Sequence, residues 1–251
     1  MEKRMEETRQ IHKESHEIYG APKIAEEMRK KGDRISNKTV GNYMKKLGTK
    51  ACYIKHSIKT TIQPDFNRKP KNILKQQFNP EEPNAVWCPD ITYIWTYTGF
   101  VYLTGIMDLY ARKIIAWVLS DTLEAEWVVE AIEKAKKERH VDKPKVMHSD
   151  RGIQYTCGAY RETTEGWKLS CSKKAYPWDN ACIESFHSIL KREWINRFQI
   201  VDYDHAYRLI FEYINTFYNT VRIHSHCGYK SPQEYENEYL YSMETKARKA
   251  G

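Results

Sequence analysis

Apolar residues in the first fifty positions recur at helical spacing, and just beyond residue 84 they give way to runs of aromatic and β-branched types that suit strands. Residues 5–18 read as a helix stopped by Tyr19-Gly20, and residues 21–32 as a second, with Ile24 and Met28 at i, i+4. A third helix is predicted from Ser36, a favourable N-cap, through the stripe Val40, Met44 and Leu47 to Gly48, which closes it. Between 49 and 83 the pattern dissolves into Lys, Thr, Pro and Asn, the signature of a linker. Residues 85–120 are rich in aromatic and β-branched types and broken at Thr98-Gly99 and Tyr110-Ala111, predicting three strands in a meander. Asp121 and Glu124 form a capping-box pattern before a helix to about Arg139, with Trp127, Val128, Ala131, Ile132 and Ala135 on its apolar side. A strand at 145–149, a short helical or irregular stretch at 156–166, a strand at 168–172 and a long helix from Asp179 to about Phe198 complete the pattern. It is that of an α/β domain whose mixed sheet is flanked by helices.

Composition narrows the class. With 41% apolar and 13% aromatic residues, 251 residues suffice for a sizeable core. No apolar run approaches the roughly 20 residues of a membrane span, and the opening MEKRMEETRQ lacks a signal peptide's apolar core, so a cytoplasmic location is expected. The six cysteines form no CxxC pair and read as scattered reduced thiols. Charge is unevenly placed. Residues 1–75 carry 19 Lys and Arg against 9 Asp and Glu, whereas residues 76–251 carry 22 against 24. A concentrated basic segment attracts phosphate backbones, which makes nucleic acid the leading partner. Short helices joined by tight turns suggest a helix-turn-helix whose third helix, with Lys38, Asn42 and Lys45, faces DNA.

Three acids carry candidate chemistry. Asp90 lies in the first strand of the meander, on the opposite face from Pro89 and Ile91. Asp150 ends the fourth strand, where α/β sheets present functional groups, and Glu184 lies near the start of the last long helix, within reach of the sheet. Carboxylates from separate elements suit Mg²⁺, which takes hard oxygen ligands and keeps water and substrate phosphate among them. Two such ions about 3.5–4 Å apart polarise the attacking and leaving oxygens of an in-line displacement. Asp108 in MDLYAR and Asp179, a natural N-cap, compete for these roles, and residue chemistry alone leaves the choice open.

The motifs WCPDITYI (87–94), MDLYARKIIAW (107–117), HSDRGIQYT (148–156), YPWDNACIESFHSILKRE (176–193) and YINTFYNTVRIHSHCGYKSPQEY (213–235) strongly resemble transposases of the IS-three class of bacterial insertion sequences, members of the DDE transposase and retroviral-integrase superfamily. The resemblance spans about 14–238 and includes the family's N-terminal helix-turn-helix segment. It implies an RNase H-like integrase catalytic core over 84–220, after a helix-turn-helix-like segment at 1–50 and a basic linker at 51–83, with a C-terminal motif and tail at 221–251. It places Asp90, Asp150 and Glu184 on the family's metal-binding triad and Asp108 outside it. The implied chemistry is Mg²⁺-dependent, with Mn²⁺ able to substitute and two ions in the active complex: cleavage at the element's ends by water, then attack of the freed 3′-OH on another DNA strand. By the same match Lys191 contacts terminal DNA phosphates, His187 touches DNA or packs its helix, Arg151 and Gln154 hold substrate, Asn180 orders the active-site loop by capping, and Gly152 serves the turn. Arg222 and His224 anchor the C-terminal motif on the core, and Trp87 is a core aromatic. The partners implied are the element's terminal inverted repeats and target DNA, with a homo-oligomer assembled on them in the bacterial nucleoid.

Two departures stand out. The Asp150-to-Glu184 interval is about two residues shorter than the family's usual pattern, and the shortening must fall in 157–170. The chain also begins later than the family's downstream-frame product, so a fusion with an upstream-frame product is expected to supply end specificity. The competing functions are an RNase H-fold metal nuclease that does not join, and a non-catalytic DNA-binding regulator of transposition.

Overall fold

The computed structural model describes residues 1–52, 71–173 and 176–250. Most of the predicted linker lies outside the described residues. Two compact units emerge: Met1–Ile58 together with Arg222–Lys230, and Lys59–Val221 together with Ser231–Gly251.

In the first unit, α1 (Glu2–Glu14), α2 (Ala21–Lys30) and α3 (Asn37–Leu47) bury Ile11, Ile24, Ala25, Met28, Val40 and Met44. Ser36 caps α3, its hydroxyl accepting from Thr39 N–H at 3.1 Å, a contact worth about 1 kcal/mol in helix stability. Gly48 ends α3 at φ 69°, a left-handed conformation that only glycine adopts at no steric cost. Lys38, Asn42 and Lys45 are exposed along one side of α3, opposite buried Val40 and Met44. The segment 222–230 folds into this unit, with Ile223 N–H donating to the Tyr19 hydroxyl at 2.9 Å. Arg222 and His224, expected to anchor that segment on the catalytic core, therefore belong to the N-terminal unit. The Tyr19 contact joins residues 204 apart, a link that no local pattern announces.

The second unit is a five-stranded sheet in the order β3, β2, β1, β4, β5. The meander forms as its aromatic and β-branched content predicts: β1 (Val86–Thr96) pairs antiparallel with β2 (Gly99–Asp108), and β2 with β3 (Lys113–Ser120). β4 (Val146–Ser149) then runs parallel to β1, and β5 (Leu169–Cys171) parallel to β4. One face packs against α4 (Glu126–Arg139), burying Trp87, Ile106, Val128, Ala131, Ile132, Ala135 and Met147. Trp87 is a core residue, fully buried, its indole N–H donating to Asn84 Oδ1 at 3.2 Å. The expected capping box at Asp121 does not form. α4 starts at Glu126, and its N-cap is Ala125, whose methyl side chain has no acceptor to offer; Thr122 instead accepts from Ser120 and from the Trp127 indole.

α5 (Gly158–Thr163) is only six residues long, yet Met147, His148 and Ser149 pair in regular register with Leu169, Ser170 and Cys171. The short 157–170 interval thus leaves the sheet in step. The predicted long helix is divided into a 3-10 turn (Pro177–Asn180), α6 (Ala181–Glu193) and a second 3-10 turn (Ile195–Arg197). α6 buries Ile183, Phe186 and Leu190, and Phe186 meets Tyr218 edge-on at 4.8 Å. Tyr218 belongs to a π-helical stretch (Glu212–Tyr218) that continues α7 (Tyr203–Phe211), and α8 (Pro232–Ala250) ends the chain. No helix among the described residues is long and apolar enough to cross a membrane.

Candidate active site

β1 and β4 are parallel and hydrogen-bonded only where Val86 meets Val146 and Trp87 meets Met147, after which they diverge. That register, continued three residues, sets Asp150 opposite Asp90. The two strands bring the carboxylates together at the mouth of the opening cleft, where backbone pairing has ended and side chains can converge on a ligand. Their charges interact. Burial pushes the Asp150 carboxyl up, the Asp90 charge pushes it further, and the Gly152 N–H only partly offsets them, leaving it at about 6.

Asp90 faces α6. Its Oδ2 lies 3.2 Å from His187 Nδ1, and its antiparallel partner Gly105 sits beneath the same ring, where an added Cβ would lie 3.8 Å from His187 Nε2. His187, considered above as a DNA contact, is 4% exposed, so its reach is to Asp90.

The Asp150 turn is tightly built. Asp150 Oδ1 accepts from Gly152 N–H at 2.8 Å, and Arg151 Nε donates to the Ser172 carbonyl at 2.7 Å, tying the end of β4 to the end of β5. A Cβ at Gly152 would lie 3.0 Å from Gln154 Oε1 and 3.1 Å from Asp150 Oδ1. Gly152→Ala is therefore expected to rotate the Asp150 carboxylate. Any activity that depends on the Asp150 carboxylate should fall roughly tenfold or more with little change in melting temperature, given the sensitivity of catalysis to misplacement of about 1 Å. Unchanged activity would show that the turn tolerates a side chain.

Behind β4, His148 is buried, with Nε2 2.9 Å from the Asp179 carbonyl and Nδ1 2.8 Å from Ser170 Oγ. A carbonyl only accepts, so Nε2 carries the proton and Nδ1 accepts from the serine, whose oxygen receives the Ile73 and Leu74 N–H groups. Burial holds the imidazole below its usual range, consistent with this neutral form. The Asp179 carboxylate accepts from Lys173 N–H, Asn72 Nδ2 and Gln76 Nε2. Burial raises its pKa, but these donors outweigh burial and hold the carboxyl below the ordinary range. Asp179 is thus a bracket fastening residues 72–76 to the site loop. Asp108 is also structural, buried against Arg139 and accepting from the Asn84 and Tyr110 N–H groups.

Asn180, at the N-cap position of α6, makes no side-chain cap, and both its amide atoms are buried with no hydrogen-bond partner among the described residues. The same holds for Tyr155 Oη and His187 Nε2. Tyr155 is close enough to feel both aspartates: burial, then the charges of Asp90 and Asp150, push its phenol well up. Sequence reading singled out neither Tyr155 nor the His187–Asp90 pair. The three-residue spacing of His187 from Glu184 on a helix over β1 was the only available signal.

Glu184 projects from the first turn of α6 and is half-buried. Among the described residues, however, no group of three His, Cys, Asp or Glu side chains has the spacing to hold a metal ion. The expected three-carboxylate cluster is present as a pair, Asp90 and Asp150, with Glu184 on the adjoining helix. Mutual repulsion, already evident between the aspartates, opposes bringing in a third carboxylate. The pair suits a hard divalent cation, which would relieve the repulsion, and the unpartnered Asn180 and Tyr155 oxygens add polar capacity nearby. Lys191, seven residues beyond Glu184 on α6, holds its ammonium 4.5 Å over the Tyr93 ring.

A mixed five-stranded sheet with paired aspartates where β1 and β4 part, joined in sequence to a three-helix unit, defines an integrase core. Integrase core domain models match residues 80–176 and 165–232, and an HTH-like domain model matches residues 2–56. The chain is 36% identical over 220 residues to the transposase for insertion sequence element IS904 of Lactococcus lactis, covering 87% of both proteins. It is 33% identical over 228 residues to transposase InsF for insertion sequence IS3 of Escherichia coli, covering 90% of this chain and 79% of that one. The chain belongs to this family of insertion-sequence transposases. The integrase fold is also seen in an intasome of simian T-cell lymphotropic virus bound to a PP2A regulatory subunit, with TM-score 0.53 at 13% identity, covering 91% of this chain and 74% of that one.

Proposed function

We propose that this chain is a DNA transposase that cleaves a strand at the end of its element and joins the freed 3′-OH to a second DNA strand, using Asp90, Asp150 and Glu184 with divalent metal. The observation that carries the reading is the placement of Asp90 opposite Asp150, with the latter's carboxyl pushed up to about 6. Bound there, Mg²⁺ or Mn²⁺, as one ion or two, would activate an attacking oxygen and stabilise the leaving one. Asp90 and Asp150 would hold the metal from the sheet, and Glu184 would complete the set from α6. His187 fixes the Asp90 carboxylate from behind, and the Gly152 N–H fixes Asp150. In cleavage, water oxygen bonds to phosphorus and the P–O3′ bond breaks, leaving a 3′-OH. In joining, that 3′-OH bonds to a target phosphorus as the target's own P–O3′ bond breaks, and the departing oxygen takes up a proton. No covalent protein intermediate is required.

DNA is held electrostatically in this reading. Lys38, Asn42 and Lys45 on α3 face one groove and its phosphates. Lys191, Arg151 and Gln154 lie on the elements that carry the carboxylates, placed to steer the strand being cut. Joining two ends requires two sites at once, so a dimer or larger assembly on DNA is expected, as is stronger end recognition when an upstream-frame product is fused ahead.

The test mixes the protein with an element-end duplex bearing a free 3′-OH and a supercoiled plasmid in Mg²⁺, beside Glu184→Gln. Joined DNA from the unaltered chain and a loss of about a thousandfold in the variant, some 4 kcal/mol of transition-state stabilisation, is the expected result. Nicked plasmid without joined product would assign the fold to a nuclease. Equal joining by the variant would remove Glu184 from the catalytic set.

A further inference from the structure

Beyond the aspartates, β1 and β2 run on as a two-stranded ribbon: β1 pairs with β4 only at Val86 and Trp87, and β3 begins its pairing with β2 at Tyr102. One face of this ribbon is ordinary, with Ile94, Thr96 and Val101 buried. The other is wholly aromatic and open to solvent, with Tyr93, Trp95, Tyr97 and Phe100 at 55, 60, 64 and 46% exposure. Trp95 and Phe100 are cross-strand partners with rings 4.8 Å apart, and Phe100 also meets Tyr93 edge-on at 5.4 Å. No exposed large aliphatic side chain interrupts them on either strand. Contiguous apolar surface of this kind marks a binding site.

Its chemistry selects the occupant. The patch meets a cation at Tyr93, where Lys191 reaches over the ring from α6, the helix that also bears Glu184. Aromatic faces beside an ammonium are how proteins hold single-stranded nucleic acid, the bases stacking and the phosphates neutralised. Tyr93 follows Asp90 by three residues, about 10 Å along a strand, and alternation turns it to the opposite face of the sheet, so the patch is reached from Asp90 round the edge of β1, which β4 leaves unpaired beyond Trp87 and where Lys191 of α6 lies over Tyr93. We propose that the ribbon face formed by Tyr93, Trp95, Tyr97 and Phe100, with Lys191, is a stacking site for unpaired bases of the DNA strand whose reacting phosphate lies at Asp90 and Asp150. The site rests on the transposase reading for the position of that phosphate. It adds a preference for frayed over fully paired DNA ends, since paired bases keep their faces inside the duplex.

The test measures binding without metal, by anisotropy, to a blunt duplex and to the same duplex with three unpaired terminal nucleotides, one of them 2-aminopurine. The unaltered chain should prefer the unpaired end and change the 2-aminopurine fluorescence on binding. Trp95→Ala combined with Phe100→Ala should weaken binding to the unpaired end about tenfold or more, the loss of one or two stacks, and change blunt-duplex binding by less than about twofold. Trp95→Phe should keep most of the preference. These side chains are exposed, so the melting temperature should hold; if the double variant fails to fold, Tyr97→Ala at the tip of the ribbon takes its place. Equal affinity of the unaltered chain for both DNAs, or equal loss on both in the variant, would overturn the proposal. So would loss of a DNA-free dimer in the variant by light scattering, which would assign the face to a second copy of the chain. Failure of the transposase reading would show separately, as a chain that binds unpaired ends but never joins them.

Discussion

Asp150→Asn is expected to reduce DNA joining by about a thousandfold and, at the same time, to raise the melting temperature. The first effect follows from the metal-holding role proposed for the carboxylate, for which a neutral amide is a poor substitute. The second follows from the linkage of its pKa to stability. The Asp150 carboxyl sits at about 6 in the folded chain, against an ordinary value near 3.8. Between those values the folded state binds more protons than the unfolded one, so stability falls as pH rises from about 4 to about 6 and stays lowered above that window. The displacement corresponds to about 3 kcal/mol at neutral pH. Asparagine removes the buried charge, and with it the repulsion with Asp90, and keeps an oxygen to accept the Gly152 N–H, so a rise of several degrees is expected for a chain of this size. Divalent cation should then raise the melting temperature of the unaltered chain with concentration and leave that of the variant nearly unchanged. A variant that melts at or below the unaltered chain would show that the buried Asp150 charge does not destabilise the fold.

Glu236→Ala is expected to cost about 3 kcal/mol of stability and shift the urea midpoint sharply down. Glu236 is buried on α8 against Arg139 of α4, and it also accepts from Lys113 Nζ of β3 at 2.9 Å. Arg139 is shared with Asp108 of β2 at 2.9 Å, so one buried network fastens α8 to the sheet. Removing Glu236 strands Lys113 and leaves Arg139 with one carboxylate partner, Asp108, beside the Asn84 side-chain oxygen, a defect that typically costs 3–5 kcal/mol. The lower end applies because Asp108 remains. Burial raises the Glu236 carboxyl, but the hydrogen bond and charge of Arg139, reinforced by Lys113, outweigh it and hold the group below its ordinary range. Its stabilisation is therefore fully present above about pH 4.3 and is lost as pH falls through the lower folded value. Asp108 carries the opposite sign, since burial outweighs Arg139 there. Comparison with Glu236→Gln, in which Asp108 is untouched, separates the two. If the urea midpoints of the unaltered chain and Glu236→Gln fall in parallel below pH 4, Glu236 is not the group responsible.

Local chemistry made much of this protein legible. The aromatic and β-branched run of 85–120, broken at Thr98-Gly99 and Tyr110-Ala111, specified three strands because such side chains suit a pleated surface. Ser36 and Gly48 bounded α3 because a cap and a left-handed residue act within one helical turn. The same kind of reading placed an acid in β1, another at the end of β4 and a third in the first turn of α6. It misjudged the start of α4, where Ala125, whose side chain has no acceptor, stands at the N-cap, and it left His187 between a DNA contact and helix packing, where the ring turns inward.

What the sequence determined by itself is the set of elements, the basic N-terminal segment and the candidate carboxylates, all properties of residues within a few positions of one another. Tertiary structure alone decided that Asp150 faces Asp90, because that depends on the register of two strands sixty residues apart, fixed by pairing at Val86 and Val146. It also decided that His187 braces Asp90, that residues 222–230 join the N-terminal unit, and that Glu236 locks α8 through Arg139. Each of these is a contact between distant segments, chosen by the burial of the whole core.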